Sequence, residues 1–492
     1  MADAESQIAN PKDQSLAPPR SAAFQSSYAY KSVQTRLPVT LTKIVDHLSR
    51  YKDEISSGNY RTYLHDPRTS RMSSEEQSSH QNEREEELKQ IVGALSKLRN
   101  EVQTNKLITP FPIPPETGDH RNYFADLPEW NKALHAPAAQ NLLYADEQPK
   151  WFESPWMFVE AYLYRRVMYS VQQTTYLHDM DPFQWEKAQS IEDNQENIGK
   201  ILKFLDCLLK DVIGRDASSD AVAGRFKEIL KLSLWGNEGD LSHPVGKKCC
   251  DSDSSHHTDA KNSKEKKSDV RSKERILVMD QTDEIWNYLS KLRASSQPMR
   301  IDIVCDNAGL ELITDLVFGT FLLETKLASV IHYHVMQLPC YVSDATVSDF
   351  YHAIQLAKQH NPQISAKWEE YLHNGQFIVK SDGFWSLPWD FDHMAQRAPE
   401  LYRDLATASL IIFKGDLNYR KLDGDLQWPP ATPMQRGVRG FAPAAWCVLR
   451  ALKGDTVVGL PKGRAEEMQA QDDNWMTTGN FAVVQFFRQK PA

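Results

Sequence analysis

Residues 299–326 read MRIDIVCDNAGLELITDLVFGTFLLETK, and the class of the fold turns on how that stretch is divided. A short apolar run, RIDIVC, stops at the polar turn Asp306-Asn307-Ala308-Gly309, and a helix-like segment begins near Gly309. The alternation recurs downstream. SVIHYHVMQLP precedes the helix-like TVSDFYHAIQLAKQH, and GQFIVKSD, SLIIFKGD and AAWCVLRAL come later. Apolar runs of this length, separated by helical patterns, fit βα units around a largely parallel sheet buried on both faces. Residues 276–492 are therefore expected to form an α/β core with a largely parallel, doubly wound sheet.

Upstream the period changes. Between Tyr28 and about Trp235, Leu41, Ile44, Val45 and Leu48 recur at i, i+3, i+4 and i+7, and Phe158, Tyr162 and Val167 mark a second amphipathic stretch. Residues 26–242 are expected to be a mainly helical N-terminal portion. Residues 1–25 are rich in Ser, Ala, Pro and Gln, with too few large apolar side chains to offset the entropy of ordering, and read as a flexible tail. Residues 243–275 are charged and almost free of apolar side chains, and read as a disordered insertion. With 492 residues the chain exceeds what one core usually organises, which agrees with two sub-structures.

Composition excludes several classes. Apolar residues are 41% and charged residues 25%, the balance of a folded globular protein. A formal net charge of −9 opposes broad capture of nucleic acid or anionic membrane while leaving room for a local basic pocket, so small anions are compatible ligands. No stretch reaches the run of about 20 apolar residues that a spanning helix needs. The cysteines (Cys207, Cys249, Cys250, Cys305, Cys340, Cys447) lack the spacing of a disulfide framework, and the first residues lack an apolar signal core. Both point to a reducing, cytoplasmic location, with the nucleus also open. Adjacent Cys249-Cys250 and His256-His257 do not have the loop spacing of a structural zinc site.

In open α/β sheets ligands bind beyond the carboxyl ends of strands, so the polar residues after each apolar run are the informative ones. They are Asp306-Asn307, then Ser343-Asp344, then Lys414-Gly415-Asp416-Leu417-Asn418-Tyr419-Arg420, then Arg450-Ala451-Leu452-Lys453. Two carboxylates and an amide are hard oxygen donors suited to Mg²⁺ or Mn²⁺, and Lys and Arg supply the other end of an anion clamp. Each piece alone has a simpler reading: Asp-Asn-x-Gly as a turn, Asp344 or Asp416 as a helix cap, Arg450 and Lys453 as solvated charges. His332 and His334 alternate on one strand face, as ligands or as hydrogen-bonded core residues. Glu160, with Arg165 and Arg166 nearby, is either an ion-pair residue or a hydrogen-bonding group for a sugar.

The segments DNAGLELITDLV, LPCYVSD, FKGDLNYRKLDGDLQWP and LRALKGDTVVGL resemble the signature blocks of the damage-control metal phosphatases, in the eukaryotic sugar-phosphate branch also labelled acidic-residue or protein-glutamate methyltransferases. AYKSVQTRLP, SPWMFVEAYLYRRV, DPFQWEKAQ, LWGNEGDLS and FWSLPWDF support the match. The resemblance implies a metal bound by Asp306, Asn307 and Asp344, and substrate contacts from Asp306, Asn307, Asp416, Leu417, Asn418, Tyr419, Arg420 and Lys453. It implies Asp306, Asp344 and Lys453 as catalytic residues, Mn²⁺ or Ni²⁺ as the metal (Co²⁺ or Mg²⁺ also fitting), and fructose 1-phosphate, fructose 6-phosphate and related sugar phosphates as substrates. The chain departs from the branch signature Arg-Thr-x-Lys, carrying Ala451 in place of Thr. Whether water or a carboxylate such as Asp344 attacks phosphorus stays open. The branch's second label implies the alternative, methyl transfer from S-adenosylmethionine to protein carboxylates, although DNAG is not the Gly-rich turn such a cofactor usually meets.

Overall fold

A helix that is buried around its whole circumference must be covered on all sides. Leu310–Glu324 is such a helix, and every residue from Leu310 to Leu323 is buried. What covers it defines the architecture. In this computed structural model, which describes residues 16–58, 80–113, 123–212, 220–236, 275–294 and 297–489, the helix lies against a seven-stranded sheet on one side and against helices from the N-terminal half on the other.

The strands are β1 (Ile276–Asp280), β2 (Arg300–Val304), β3 (Val330–Val335), β4 (Phe377–Ser381), β5 (Leu410–Lys414), β6 (Trp446–Ala451) and β7 (Phe481–Phe487). Their order is β1-β7-β6-β5-β2-β3-β4. Strands β4, β3, β2, β5 and β6 run parallel; β7 is antiparallel to β6, and β1 runs parallel to β7. The helices that matter below are α1 (Leu37–Arg50), α2 (Gln81–Gln103), α3 (Trp156–Gln172), α4 (Gln184–Asp193), α5 (Gln195–Val212), α6 (Asp220–Leu234), α7 (Thr282–Arg293), α8 (Leu310–Glu324), α9 (Val347–His360), α10 (Pro362–His373) and α11 (Gly415–Asp423). The expected α/β class and doubly wound, largely parallel sheet are what the chain forms.

Strand alternation splits the core in two. Val304, Ile411, Phe413, Val448 and Val483 face one cluster, built with α1, α2 and α3. Ile303, Ile412, Leu449 and Val484 face the other, built with α5 to α10. The N-terminal helical portion is thus divided between the layers: α1 to α3 lie over one face, while α5 and α6 join α8 over the opposite face. Composition gave no sign of that division, because amphipathic helices look alike whichever face they cover.

Residues 16–25, expected to belong to the flexible tail, are instead held as a strap between the two halves. Arg20 N–H donates to Asp425 O at 3.1 Å, Gln427 N–H to Pro18 O at 2.8 Å, and Trp156 N–H to Arg20 O at 2.8 Å. Main-chain bonds of this kind need no apolar side chains, which is why composition missed them. The rest of the expected tail, the core of the 243–275 insertion and Cys249, Cys250, His256 and His257 lie outside the described residues. Among the described residues, Cys207, Cys305, Cys340 and Cys447 form no disulfide. Among the described residues no helix is long and apolar enough to cross a membrane.

Strand β2 lies between β3, which follows it in the chain, and β5, which comes later, so the sheet has its topological switch where β2 and β5 end. Helix α8 packs closely on the sheet. A Cβ at Gly319 would lie 2.0 Å from Tyr333 Oη and 3.1 Å from its Cζ. In an open helix Gly→Ala gains about 1 kcal/mol, whereas overpacking a core costs about 1–3 kcal/mol. Gly319→Ala is therefore expected to lower the urea midpoint, and Tyr333→Phe in the same chain, which removes the nearer atom, to recover part of the loss.

Candidate active site

The loop after β2 and the loop after β3 are tied by backbone. Ala308 N–H donates to Ser343 O at 2.7 Å and Ala345 N–H to Asp306 O at 2.8 Å, and Asn307 and Asp344 form an isolated antiparallel bridge. This pairing brings the expected metal donors Asp306, Asn307 and Asp344 into one place. Asn307 Nδ2 donates to Asp306 Oδ2 at 2.7 Å and to Glu311 Oε2 at 2.8 Å, while its Oδ1 accepts from Ser343 Oγ. Tyr341 and Val342, just before Ser343, have φ of 50° and 71°. A β-branched residue in that region is an outlier, and strain of about 1–3 kcal/mol per residue is stored where the surrounding structure imposes it.

The donors fit a cation. Asp344 Oδ2 is buried without a hydrogen-bond partner. Burial, followed by the Asp306 charge, pushes the Asp344 carboxyl well above the ordinary range, and burial and then Glu311 do the same to Asp306. Such shifts mark acids whose negative charge lacks compensation.

From the neighbouring strand, β5, comes the other wall. Gly415, with φ of 80°, opens α11, and a Cβ there would lie 2.0 Å from Asp306 Oδ2. No residue other than glycine fits both constraints. Asp416 follows. Its Oδ1 accepts from Arg450 Nε at 2.9 Å, Arg450 Nη2 at 2.7 Å and Lys453 N–H at 3.3 Å. Burial raises its carboxyl, but Arg450 and then Arg420 outweigh that and hold it below the usual range. Lys453 lies close enough to be the leading charge that opposes the rise at Asp306.

The remaining expected residues divide. Arg420 donates Nε and Nη2 to Asp425 at 3.1 and 3.0 Å and Nη1 to Glu160 Oε2 at 2.6 Å. Glu160 is buried between Arg420 and Arg36; burial raises its carboxyl, while Arg36 and then Arg420 bring it below the ordinary value. Leu417 packs into the core. Asn418 Nδ2 binds Lys414 O at 2.8 Å and Cys305 O at 3.2 Å, which ties the end of β2 to α11. Tyr419 Oη donates to Gln485 Oε1 at 3.0 Å and accepts from Val458 N–H at 3.0 Å. Lys414 is engaged by Asp315 Oδ1 (2.6 Å), Ser233 O (3.0 Å) and Glu311 Oε1 (3.1 Å), and after Lys453 its charge also opposes the rise at Asp306. Arg450 is fully buried on Asp416, Thr456 O and Gly454 O. Ala451 points to the opposite face of β6, against the second core, so the missing Thr hydroxyl leaves Arg450 and Asp416 untouched. Sequence reasoning overlooked Glu311, which lies four residues after Asn307 on a helix's first turn, a spacing that brings side chains together; Ser343 and Gly415 stood in the strand-end set without a role of their own.

A second grouping of donors, Asp302 on β2, His332 and His334 on β3, and Asp404, has ligand atoms within 4.8 Å of one another. Arg300 occupies its centre, donating Nη2 to Asp302 Oδ2 at 2.5 Å and to Asp404 Oδ2 at 2.9 Å, and Lys380 Nζ reaches Asp404 at 2.7 Å. His334 Nε2 lies 2.8 Å from Asp302 Oδ2. Two cations already balance two carboxylates there, so a metal would have to displace a guanidinium.

The sequence matches the family profile described as the damage-control phosphatase ARMT1-like domain over residues 32–468. Curated relatives carrying the name damage-control phosphatase ARMT1 are similar over nearly their whole length: the protein of Bos taurus is 38% identical over 474 residues (95% of this chain, 97% of its own), that of Rattus norvegicus 36% over 472 residues (95% and 97%), and that of Homo sapiens 35% over 468 residues (94% and 96%).

Two outcomes are expected from this geometry. Gly415→Ala, which drives a methyl group into the Asp306 carboxylate, is expected to weaken divalent-cation binding at least about tenfold by isothermal titration, in line with the effect of disturbing a ligand's immediate support. At His332, burial pushes the imidazole down to about 4, against the opposing pull of Asp302. The unfolded chain then binds the extra proton first, so stability falls as pH drops from about 6.5 to about 4. Denaturation midpoints across that window are expected to change less steeply in His332→Gln than in the wild type.

Proposed function

The chain belongs to the damage-control phosphatase ARMT1-like family, and from that premise and the crevice geometry we propose that it hydrolyses small sugar phosphates, fructose 1-phosphate and fructose 6-phosphate among them, with a divalent metal held by Asp306, Asn307 and Asp344. The observation that carries this reading is the unpartnered, buried Asp344 Oδ2 beside an Asp306 carboxyl that lacks compensation. All-oxygen donors suit Mn²⁺, with Ni²⁺, Co²⁺ and Mg²⁺ as further candidates. When bound, the metal supplies Lewis-acid charge to the phosphoryl oxygens.

Asp306, Asp344 and Lys453 carry the reacting end. The carboxylates fix the cation, and Lys453 neutralises charge as it builds on the phosphoryl group. Arg420 uses three of its five N–H groups on Glu160 and Asp425, which leaves two for phosphate oxygens. Leu417, Asn418 and Tyr419 have side chains directed into the protein, so what this segment offers a substrate is the free first-turn amides of α11, from Gly415 to Leu417, a position that favours anions. Glu160 acts as the anchor of Arg420. Methyl transfer gains no support, because the backbone of the turn after β2 is taken up by Ser343 and Ala345 instead of being open to S-adenosylmethionine.

The test is phosphate release from fructose 1-phosphate with and without Mn²⁺. Wild type is expected to turn over only with metal, and Asp306→Ala to lose about a hundredfold or more. Folded wild-type protein that releases no phosphate from a panel of sugar phosphates, with several divalent metals, would sink the reading.

A further inference from the structure

Glu160 is shared between two arginines, one per oxygen. Oε1 accepts from Arg36 Nη2, and Oε2 from Arg420 Nη1 at 2.6 Å. Trp156 lies beside both guanidiniums, its ring centroid 5.6 Å from the Arg36 Cζ and 5.5 Å from that of Arg420. With Asp425 on the remaining edge of Arg420, two positive and two negative charges cancel. The group adjoins the catalytic crevice, for Glu160 is among the charges that bear on Asp344, and Arg420 among those that bear on Asp416.

Arg36 is the member whose presence calls for an explanation. It comes from the far end of the chain, as the last residue of a π-helical turn, Ser32–Arg36, directly before α1. Such turns re-aim side chains and recur at functional positions. Its side chain is 42% exposed, against 2% for Glu160 and 8% for Arg420, so it meets solvent while the other two do not. It lines a shallow surface cavity together with Lys31 and Lys43.

We propose that Arg36 is a positioning residue for the phosphatase reaction: by holding one oxygen of Glu160 it prevents that carboxylate from closing on Arg420 with both, and so keeps Arg420's free N–H groups and net charge available to phosphate. The inference rests on the phosphatase reading above. Without Arg36, Glu160 and Asp425 together outweigh Arg420, and this four-residue group passes from neutral to one net negative charge beside a dianionic substrate. At the separations of a buried site, one uncompensated charge changes anion affinity about tenfold after screening.

The experiment uses the full chain loaded with Mn²⁺, and reads steady-state kinetics on fructose 1-phosphate beside calorimetric binding of inorganic phosphate. Arg36→Gln is expected to raise KM and the phosphate Kd about tenfold while kcat stays within about twofold. Arg36→Lys keeps the charge and recovers most of the loss. The double variant Arg36→Gln/Glu160→Gln, in which the charges again cancel, returns KM toward the wild-type value although Arg36 is absent. A role in packing alone predicts no such rescue. KM unchanged in Arg36→Gln, or a double variant no better than the single, overturns the proposal. Wild-type protein that neither turns over nor binds phosphate overturns the phosphatase reading and this inference with it; wild-type turnover beside an indifferent Arg36→Gln overturns only the role of Arg36.

Discussion

Asp306 and Asp344 carry like charges, and what holds them together is main chain: the bond from Ala308 to Ser343 and the bond from Ala345 back to Asp306. These two hydrogen bonds join loops that follow adjacent parallel strands, so the site inherits its spacing from the sheet and not from flexible side chains. The strain at Tyr341 and Val342 is the local consequence, since the chain must turn sharply for Ser343 and Asp344 to reach the β2 loop. Gly415 completes the enclosure from β5, where any side chain would collide with Asp306.

Around this centre the protein balances buried charge in closed groups. Lys414 meets Glu311 and Asp315; Arg450 meets Asp416; Arg420 and Arg36 meet Glu160 and Asp425. Buried pairs of this kind add little net stability compared with apolar packing, but removing one partner leaves a charge stranded and costs about 3–5 kcal/mol. The pairs therefore fix geometry. Asp306 and Asp344 stand apart because burial and neighbouring negative charge outweigh the positive charge the protein supplies, the deficit that the proposed divalent cation would make up. The Asp302 grouping shows the contrasting case, where Arg300 and Lys380 already provide the balance.

Much of this was legible in the sequence. The apolar run ending at Asp306, the helix after Gly309 and the later strand-helix pairs gave the sheet, because a strand buried on both faces has a distinctive composition. The strand-end residues Asp306, Asn307, Asp344, Asp416 and Lys453 do gather in one crevice. Harder to read were features set by contact across long separations. The strap at residues 16–25 is ordered by main-chain bonds to 425 and 427; α5 and α6 cross to the other layer; Lys414 and Arg450, which look like clamp residues at strand ends, are directed into buried pairs. Gly415 illustrates the limit well: its necessity comes from the carboxylate of Asp306, which lies 109 positions earlier in the chain.

The central claim is that a divalent cation sits between Asp306, Asn307 and Asp344. The most direct measurement is a crystal structure of the Mn²⁺-loaded protein with the anomalous signal of manganese mapped. The account predicts one strong peak within coordinating distance of carboxylate oxygens from both Asp306 and Asp344. A peak instead among Asp302, His332, His334 and Asp404, with Arg300 displaced, or no peak in fully metal-supplemented crystals, would contradict it.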